Sequence, residues 1–305
     1  MIILIMIQNL TLIVNTRNEE HNLERCLRSV KGFAKEVVVV DMESTDNTVE
    51  IAEKHGAKVF NHKYTHFVEP ARNYAITKAA DGWILILDAD EEVPSGLKEK
   101  LLEIVAKDSA DYVRLPRKNI IFDKWISHAR WWPDYNIRFF KKGAVSWGDE
   151  IHSIPITQGR GIDLPAQEDL AIIHHNYQSI EQFIDRLNRY TTIQAAEKVK
   201  KGYKFDWKDV VKAFTSEFVS RLFLGKGYKD GVHGLALSFM SGVSEAIVVL
   251  KVWQEAGFKE HKTPINLLSI ELSKSIKEIN YWKANELVGE TGSLTAKIKR
   301  RLRIS

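Results

Sequence analysis

The sequence predicts an α/β protein: a mostly parallel, doubly wound sheet followed by a helical appendage. Short apolar runs at 10–14, 36–40, 57–60 and 83–87 alternate with stretches of helical periodicity, the pattern of parallel strands joined by right-handed crossovers. The run Trp83-Ile-Leu-Ile-Leu87 has no polar alternation, so its strand is expected to be covered on both faces. Polar residues gather where each run stops: Asn15 and Arg17, then Asp41, then Asp88 and Asp90. In such a sheet these carboxyl ends lie side by side and form a crevice whose usual occupant is a nucleotide.

The first strand, 10–14, ends at Asn15-Thr-Arg-Asn-Glu-Glu20, and a helix with Leu23, Cys26, Leu27 and Val30 as its core stripe follows. The strand 36–40 ends at Asp41, and Ser44-Thr-Asp-Asn-Thr48 supplies capping side chains for the next helix. Gly56 closes that helix ahead of the strand 57–60. Pro70 suits the first position of a helix over 70–80, which leads into the strand at 83–87. After a helix over 95–106 the alternation stops, and 112–116, 136–140 and 145–147 read as strands of a mixed region. From Ser179 the pattern is helical, so the expected division is a nucleotide-binding and catalytic domain over 1–178 and a helical region with a basic tail over 179–305.

Composition narrows the classes. With 305 residues, 44% hydrophobic and 28% charged, the chain can bury one sizeable core and an appendage. A net charge of +4 is too balanced to argue for a nucleic-acid partner. The single cysteine excludes an internal disulfide and fits a reducing cytoplasm. Residues 1–7 are apolar without a basic leader, and Gln8 and Asn9 interrupt the run, which fits neither a signal peptide nor a spanning helix; Met6 is an alternative start. The nearest approach to a membrane span, 232–252, is broken by Glu245 and Lys251.

Asp88 and Asp90, with Glu91 and Glu92, suit a hard divalent cation that shares its oxygen ligands with phosphates; the alternative is a solvated turn. Trp125 and Arg130-Trp-Trp-Pro-Asp134 offer apolar faces and donors for a sugar ring, or ordinary aromatic packing. The tail Lys297-Ile-Lys-Arg-Arg-Leu-Arg303 suits an anionic membrane surface, or is a solvated basic end.

Four motifs stand in order: Leu12-Ile-Val-Asn-Thr-Arg-Asn-Glu-Glu20, Val39-Val-Asp-Met-Glu-Ser-Thr-Asp-Asn-Thr48, Ala71-Arg-Asn-Tyr-Ala75 and Leu87-Asp-Ala-Asp90. Together they resemble the family 2 glycosyltransferases of the GT-A fold. Arg138-Phe-Phe, His174 with Tyr177, Arg189-Tyr-Thr191 and Gly227-Tyr-Lys-Asp-Gly231 resemble a bacterial subgroup related to lipopolysaccharide-core glycosyltransferases. The resemblance covers roughly residues 10–255.

It implies an inverting, metal-dependent transfer of a sugar from a nucleoside diphosphate, UDP by default, to a glycan or lipid-linked acceptor at the cytoplasmic membrane face. It implies that Asn15, Arg17 and Glu19 hold the base, Asp41 the base or ribose, Arg72 the diphosphate, and Asp88 and Ala89 the nucleotide sugar. Asp90 and His174 would ligate Mg²⁺ or Mn²⁺. The subgroup's Val-His-Glu is Ile151-His-Ser153 here, so its glutamate is missing, and Glu150 or Asp149 is expected to act as base, with Glu168 and Asp169 as further candidates. Two other readings remain. A non-catalytic nucleotide-sugar or glycan module is kept open by Ser153. A sugar-phosphate nucleotidyltransferase would want a glycine-rich phosphate loop that Asn15–Glu20 lacks.

Overall fold

A computed structural model describes residues 9–65, 68–148 and 155–304. The chain forms two compact units, one of residues 1–120 and 133–176, the other of 121–132 and 177–305. The excursion 121–132 was not anticipated from the sequence. Ile121 and Ile126 are fully buried in a cluster with Phe183 and Leu237, which draws this segment to the helical unit.

In chain order the strands of the first unit are β1 (Leu10–Thr16), β2 (Glu36–Asp41), β3 (Lys58–Asn61), β4 (Trp83–Asp88), β5 (Glu91–Glu92), β6 (Tyr112–Leu115) and β7 (Arg117–Ile121, whose last residue belongs to the second unit). After β8 (Lys124–Trp125) in the second unit come β9 (Asn136–Lys141), β10 (Val145–Ser146), β11 (Ile156–Thr157), β12 (Gly161–Asp163) and β13 (Ile172–His175). Four helices intervene: α1 (Leu23–Ser29), α2 (Thr48–Lys54), α3 (Glu69–Lys78) and α4 (Ser95–Lys107). The main sheet runs β12-β6-β9-β4-β1-β2-β3. Strands β4, β1, β2 and β3 run parallel to one another, while β9 is antiparallel to both β4 and β6. The order reverses between β1 and β4, so the crevice of a doubly wound sheet opens at their carboxyl ends.

Both faces of this sheet are covered, as the unbroken apolar runs require. Leu10, Leu12, Val14, Leu85 and Leu87 pack with Leu23, Cys26 and Leu27 of α1 and Leu97 and Leu101 of α4. Ile13, Ile84 and Ile86 pack on the other side with Ala71 and Ala75 of α3. Alternation along β4 therefore sends Asp88 to the α3 side, with Ile84 and Ile86. Three strands of a smaller sheet, β5-β13-β7, bring residues from distant parts of the sequence beside Asp90. These short strands were not visible as apolar runs.

The second unit holds α5 (Ile180–Lys200), α6 (Trp207–Val219), α7 (Val232–Glu255), α8 (Ile265–Thr291) and α9 (Leu294–Leu302). Among the described residues α7 is the one helix long and apolar enough to cross a membrane by length and composition. Gly242 lets it lie against α6, since a Cβ there would sit 3.0 Å from the Phe214 ring.

Candidate active site

The site is built from chain ends placed in register. Asn15 on β1 pairs with Asp88 on β4, and Thr16 pairs with Asp41 on β2, so three of the residues singled out in the sequence stand on adjacent strands. Asn15 is buried, and its side-chain amide has no hydrogen-bond partner among the described residues. Asp41 is buried and accepts the N–H and the hydroxyl of Ser44, which fixes the turn after β2.

The loops after β1 and β2 are tied together. Asn18, at a left-handed φ of 55°, accepts the Thr45 N–H at 2.8 Å and donates its own N–H to Ser44 Oγ. The Glu19 N–H goes to Thr48 Oγ1, and the Glu20 N–H to Asp46 Oδ2. Of the residues read as helix caps, Asn47 makes no side-chain cap, whereas Asp46 accepts the N–H of Thr48, the first residue of α2, at 3.1 Å and also bridges to the first loop. Arg17 lies over the Tyr64 ring at 3.8 Å. The Ala89 methyl is buried in the apolar core, which leaves only its backbone for a ligand.

Beneath the crevice lies a charge network that the sequence reading did not find. Arg138 reaches Asp88 through two N–H donors and Glu91 through one, the last at 2.8 Å. Arg72 donates to Asp88 at 3.0 Å. Arg117 bridges Glu91 at 3.2 Å and Asp134 at 2.6 Å. Glu91 is fully buried and also accepts the Asp88 N–H at 2.9 Å, closing the turn that carries Asp90. Three guanidiniums thus face three carboxylates. Burial opposes ionisation of Asp88, but Arg138 and then Arg72 outweigh it and hold its carboxyl well below the usual range. Burial also works against the charge on Arg138, and Asp88 and Glu91 overcome it, so this guanidinium loses its proton even less readily than usual. The signal in the sequence was Arg138 itself, a permanent charge at a core-facing position of an apolar strand.

Asp90 stands just outside this network. His174 Nε2 lies 3.3 Å from Asp90 Oδ2. His174 is buried on β13, and its register partner on β7 is Asn119, whose Oδ1 is 2.6 Å from His174 Nδ1. Asn119 Nδ2 donates to Asp134 Oδ2 at 3.2 Å, which sets the amide's orientation. His174 Nδ1 therefore carries a proton toward Asn119, and Nε2 is the nitrogen turned to Asp90. An imidazole nitrogen and a carboxylate oxygen this close need a proton or a cation between them. A divalent cation that takes its remaining ligands from phosphate and water fits that pair. Among the described residues no group of three or more His, Cys, Asp or Glu side chains gathers as a self-sufficient metal cage. The neighbouring His175 points elsewhere, to Glu92.

Arg72 has one N–H on Asp88, while its buried Nε has no protein partner among the described residues. Asn73, next to it on α3, makes a two-way pair with the Trp147 backbone at 3.0 and 2.7 Å. That pair anchors the chain two residues ahead of Asp149 and Glu150, both of which lie outside the described residues, as do His152 and Ser153. Glu168 and Asp169 are surface residues of a short turn, with Glu168 paired to Lys118.

Comparison with known proteins adds to this geometry. The family described as "Glycosyl transferase family 2" matches residues 11–161. A glycosyltransferase of Rickettsia bellii (strain RML369-C) is 34% identical over 198 residues, which cover 62% of this chain and 67% of that protein. The lipopolysaccharide core biosynthesis glycosyltransferase LpsC of Rhizobium meliloti (strain 1021) is 23% identical over 263 residues, covering 83% of this chain and 94% of LpsC. The crystal structure of S. aureus TarS 1-349 in complex with UDP aligns with 84% of this chain and 93% of that one, at 14% identity and a TM-score of 0.44.

Proposed function

Given that the chain belongs to glycosyl transferase family 2 and is a glycosyltransferase, we propose that it is a metal-dependent, inverting enzyme that uses a nucleoside-diphosphate sugar, UDP-linked by default. The observation that carries this reading is the Asp90–His174 pair at the edge of the crevice. Asp90 and His174 would hold Mg²⁺ or Mn²⁺, which when bound supplies Lewis-acid stabilisation of the departing diphosphate.

The chain's own residues do the rest. Asn15 and Asp41 meet the base and ribose at the ends of β1 and β2, with Arg17 and Glu19 on the loop above. Asp88, kept ionised by Arg138, orients Arg72, whose remaining N–H donors suit the diphosphate. Glu150, with Asp149 as the alternative, takes the proton of the attacking acceptor hydroxyl. The catalytic chemistry thus belongs to the first unit.

We assign the acceptor to the glycan or lipid-linked class of the cell envelope; the likeness to LpsC, named for lipopolysaccharide core biosynthesis, supports this. We assign the protein to the cytoplasmic side, and the second unit supports a peripheral attachment to an anionic membrane. On α9, Leu294, Ile298 and Leu302 are exposed by 75, 58 and 59% at helical spacing, with Lys297, Lys299, Arg301 and Arg303 among them. Such a basic amphipathic helix lies in a membrane interface. The test is release of UDP from a panel of UDP-sugars with Mn²⁺, wild type against Asp90→Ala. Metal-dependent turnover of one donor, lost in the variant, supports the reading; equal turnover in chelator or in the variant would remove the metal from it.

A further inference from the structure

The second unit contains a polar cluster that plays no part in the chemistry above. Asp230 is 4% exposed and accepts the His128 N–H at 2.8 Å and the Ser127 hydroxyl at 3.1 Å. Its Oδ1 also lies 3.1 Å from His128 Nδ1, and Ser127 Oγ is 3.0 Å from the same nitrogen. An ionised carboxylate has no proton to give, and the Ser127 proton is already directed at Asp230. Nδ1 therefore carries a proton toward Asp230, and Nε2 is the ring nitrogen on the side away from it. The imidazole is about one-third exposed, so a small polar group can reach it.

The surrounding backbone is held under strain to keep this arrangement. Ala129 and Arg130 sit at φ 53° and 66°, the left-handed region that side chains avoid. The Ala129 N–H is held by the Gly225 carbonyl at 2.6 Å, and Arg221 donates to the Ala129 carbonyl at 3.1 Å. Glycine is favoured at both 225 and 227, because a Cβ at either would lie 2.9 Å from the Arg221 carbonyl oxygen and 3.1 Å from Ala129. Ser220–Leu224, just before, is a π-helical turn, a widening found frequently at functional sites. A buried carboxylate, a strained dipeptide and two close-approach glycines thus converge on one reachable imidazole. Three residues from His128, Trp125 meets Trp132 edge to face at 5.4 Å, both half-buried.

We propose that His128 and the Trp125–Trp132 pair form a binding subsite for a sugar residue of the acceptor glycan. His128 Nε2 accepts a hydrogen bond from a sugar hydroxyl, and an indole face covers the apolar side of the ring. The identity of the ligand as the acceptor rests on the transferase reading; the carbohydrate chemistry of the subsite does not.

Saturation-transfer NMR on the full chain, with methyl glycosides of glucose, galactose, mannose and N-acetylglucosamine as probes and UDP binding measured in parallel, tests it. Binding of at least one glycoside should weaken about fivefold in His128→Ala, the worth of a hydrogen bond to a sugar hydroxyl, and recover in part in His128→Gln. Asp230→Asn, which can donate to Nδ1 and move the ring proton to Nε2, should weaken it too, with the circular dichroism spectrum unchanged. Trp132→Ala should lower the signal of the same glycoside, and UDP binding should persist in every variant. Unchanged glycoside binding in folded His128→Ala and Trp132→Ala, or no glycoside binding in a wild type that binds UDP, would overturn the subsite. Glycoside binding that follows this pattern without any UDP binding would leave the subsite standing and remove the transferase reading instead.

Discussion

Replacing Arg138 by methionine keeps the volume of the side chain and removes the charge that joins β9 to the turn after β4. In the wild type that guanidinium serves Asp88 and Glu91 together. After the change Asp88 keeps Arg72 at 3.0 Å and Glu91 keeps Arg117 at 3.2 Å, so neither carboxylate is orphaned. Removing one partner of a buried pair costs ~3–5 kcal/mol, and the remaining guanidiniums place this case at the low end, about 3 kcal/mol. The pH dependence fixes the cause. The folded-state pKa of Asp88 is depressed, so its contribution is complete above the unfolded value near ~3.9 and is lost as pH falls through the folded value. Arg138 is the largest of the groups that lower it, so without Arg138 that depression shrinks. The gap between wild type and variant should therefore be widest at neutral pH and close as the solution is acidified below about pH 4. Hydrogen-exchange mass spectrometry of peptides covering β4 and β9, along a urea series at pH 7 and at about pH 3, inside the window where the gap closes, reads this locally. A variant within about 1 kcal/mol of wild type at pH 7, or a gap that ignores pH, would refute the network's role.

Asn119→Ala should weaken Mn²⁺ binding in the presence of UDP by ~10–100-fold, the usual effect of losing a ligand's orienting partner, and His174→Ala, which removes the ligand itself, by at least as much, as read by electron paramagnetic resonance titration. Equal affinity in Asn119→Ala would show that the tautomer is set elsewhere. Gly82→Ala should destabilise the first unit by about 1–3 kcal/mol, because φ is +134° and the new Cβ would fall 2.4 Å from the Asn9 carbonyl oxygen; a wild-type urea midpoint would contradict that. The full chain should co-sediment with phosphatidylglycerol vesicles and not with phosphatidylcholine. Reversing Lys299 and Arg301 to glutamate should lower that binding more than about tenfold, at ~1 kcal/mol for each basic residue removed. Equal binding to both lipids would leave α9 as a solvated end.

The sheet was readable because its strands are continuous apolar runs, which only a doubly covered parallel sheet accommodates. Asp88 and Asp90 were readable because acidic residues directly after such a run have few structural uses. The charge network was not, since Arg117, Asp134 and Arg138 meet Asp88 and Glu91 only after β9 returns antiparallel beside β4 and the short β7 and β13 pair. Asn119 escaped notice for the same reason: its bond to His174 spans 55 residues and depends on strand register. Two-residue strands such as β5 leave no periodicity to detect, and the excursion 121–132 looks like an ordinary loop until Ile121 and Ile126 are seen buried beside Phe183 and Leu237.

In the proposed enzyme the carboxyl edge of β1, β2 and β4 receives a nucleoside diphosphate together with a cation held by Asp90 and His174. A crystal of the full chain grown with UDP and Mn²⁺, with data collected at the manganese absorption edge, addresses it directly. An anomalous peak is expected within ligand distance of Asp90 Oδ2 and His174 Nε2, with the diphosphate beside it and the uracil near Asn15 and Asp41. Manganese bound elsewhere, or UDP bound away from these strand ends, would contradict it.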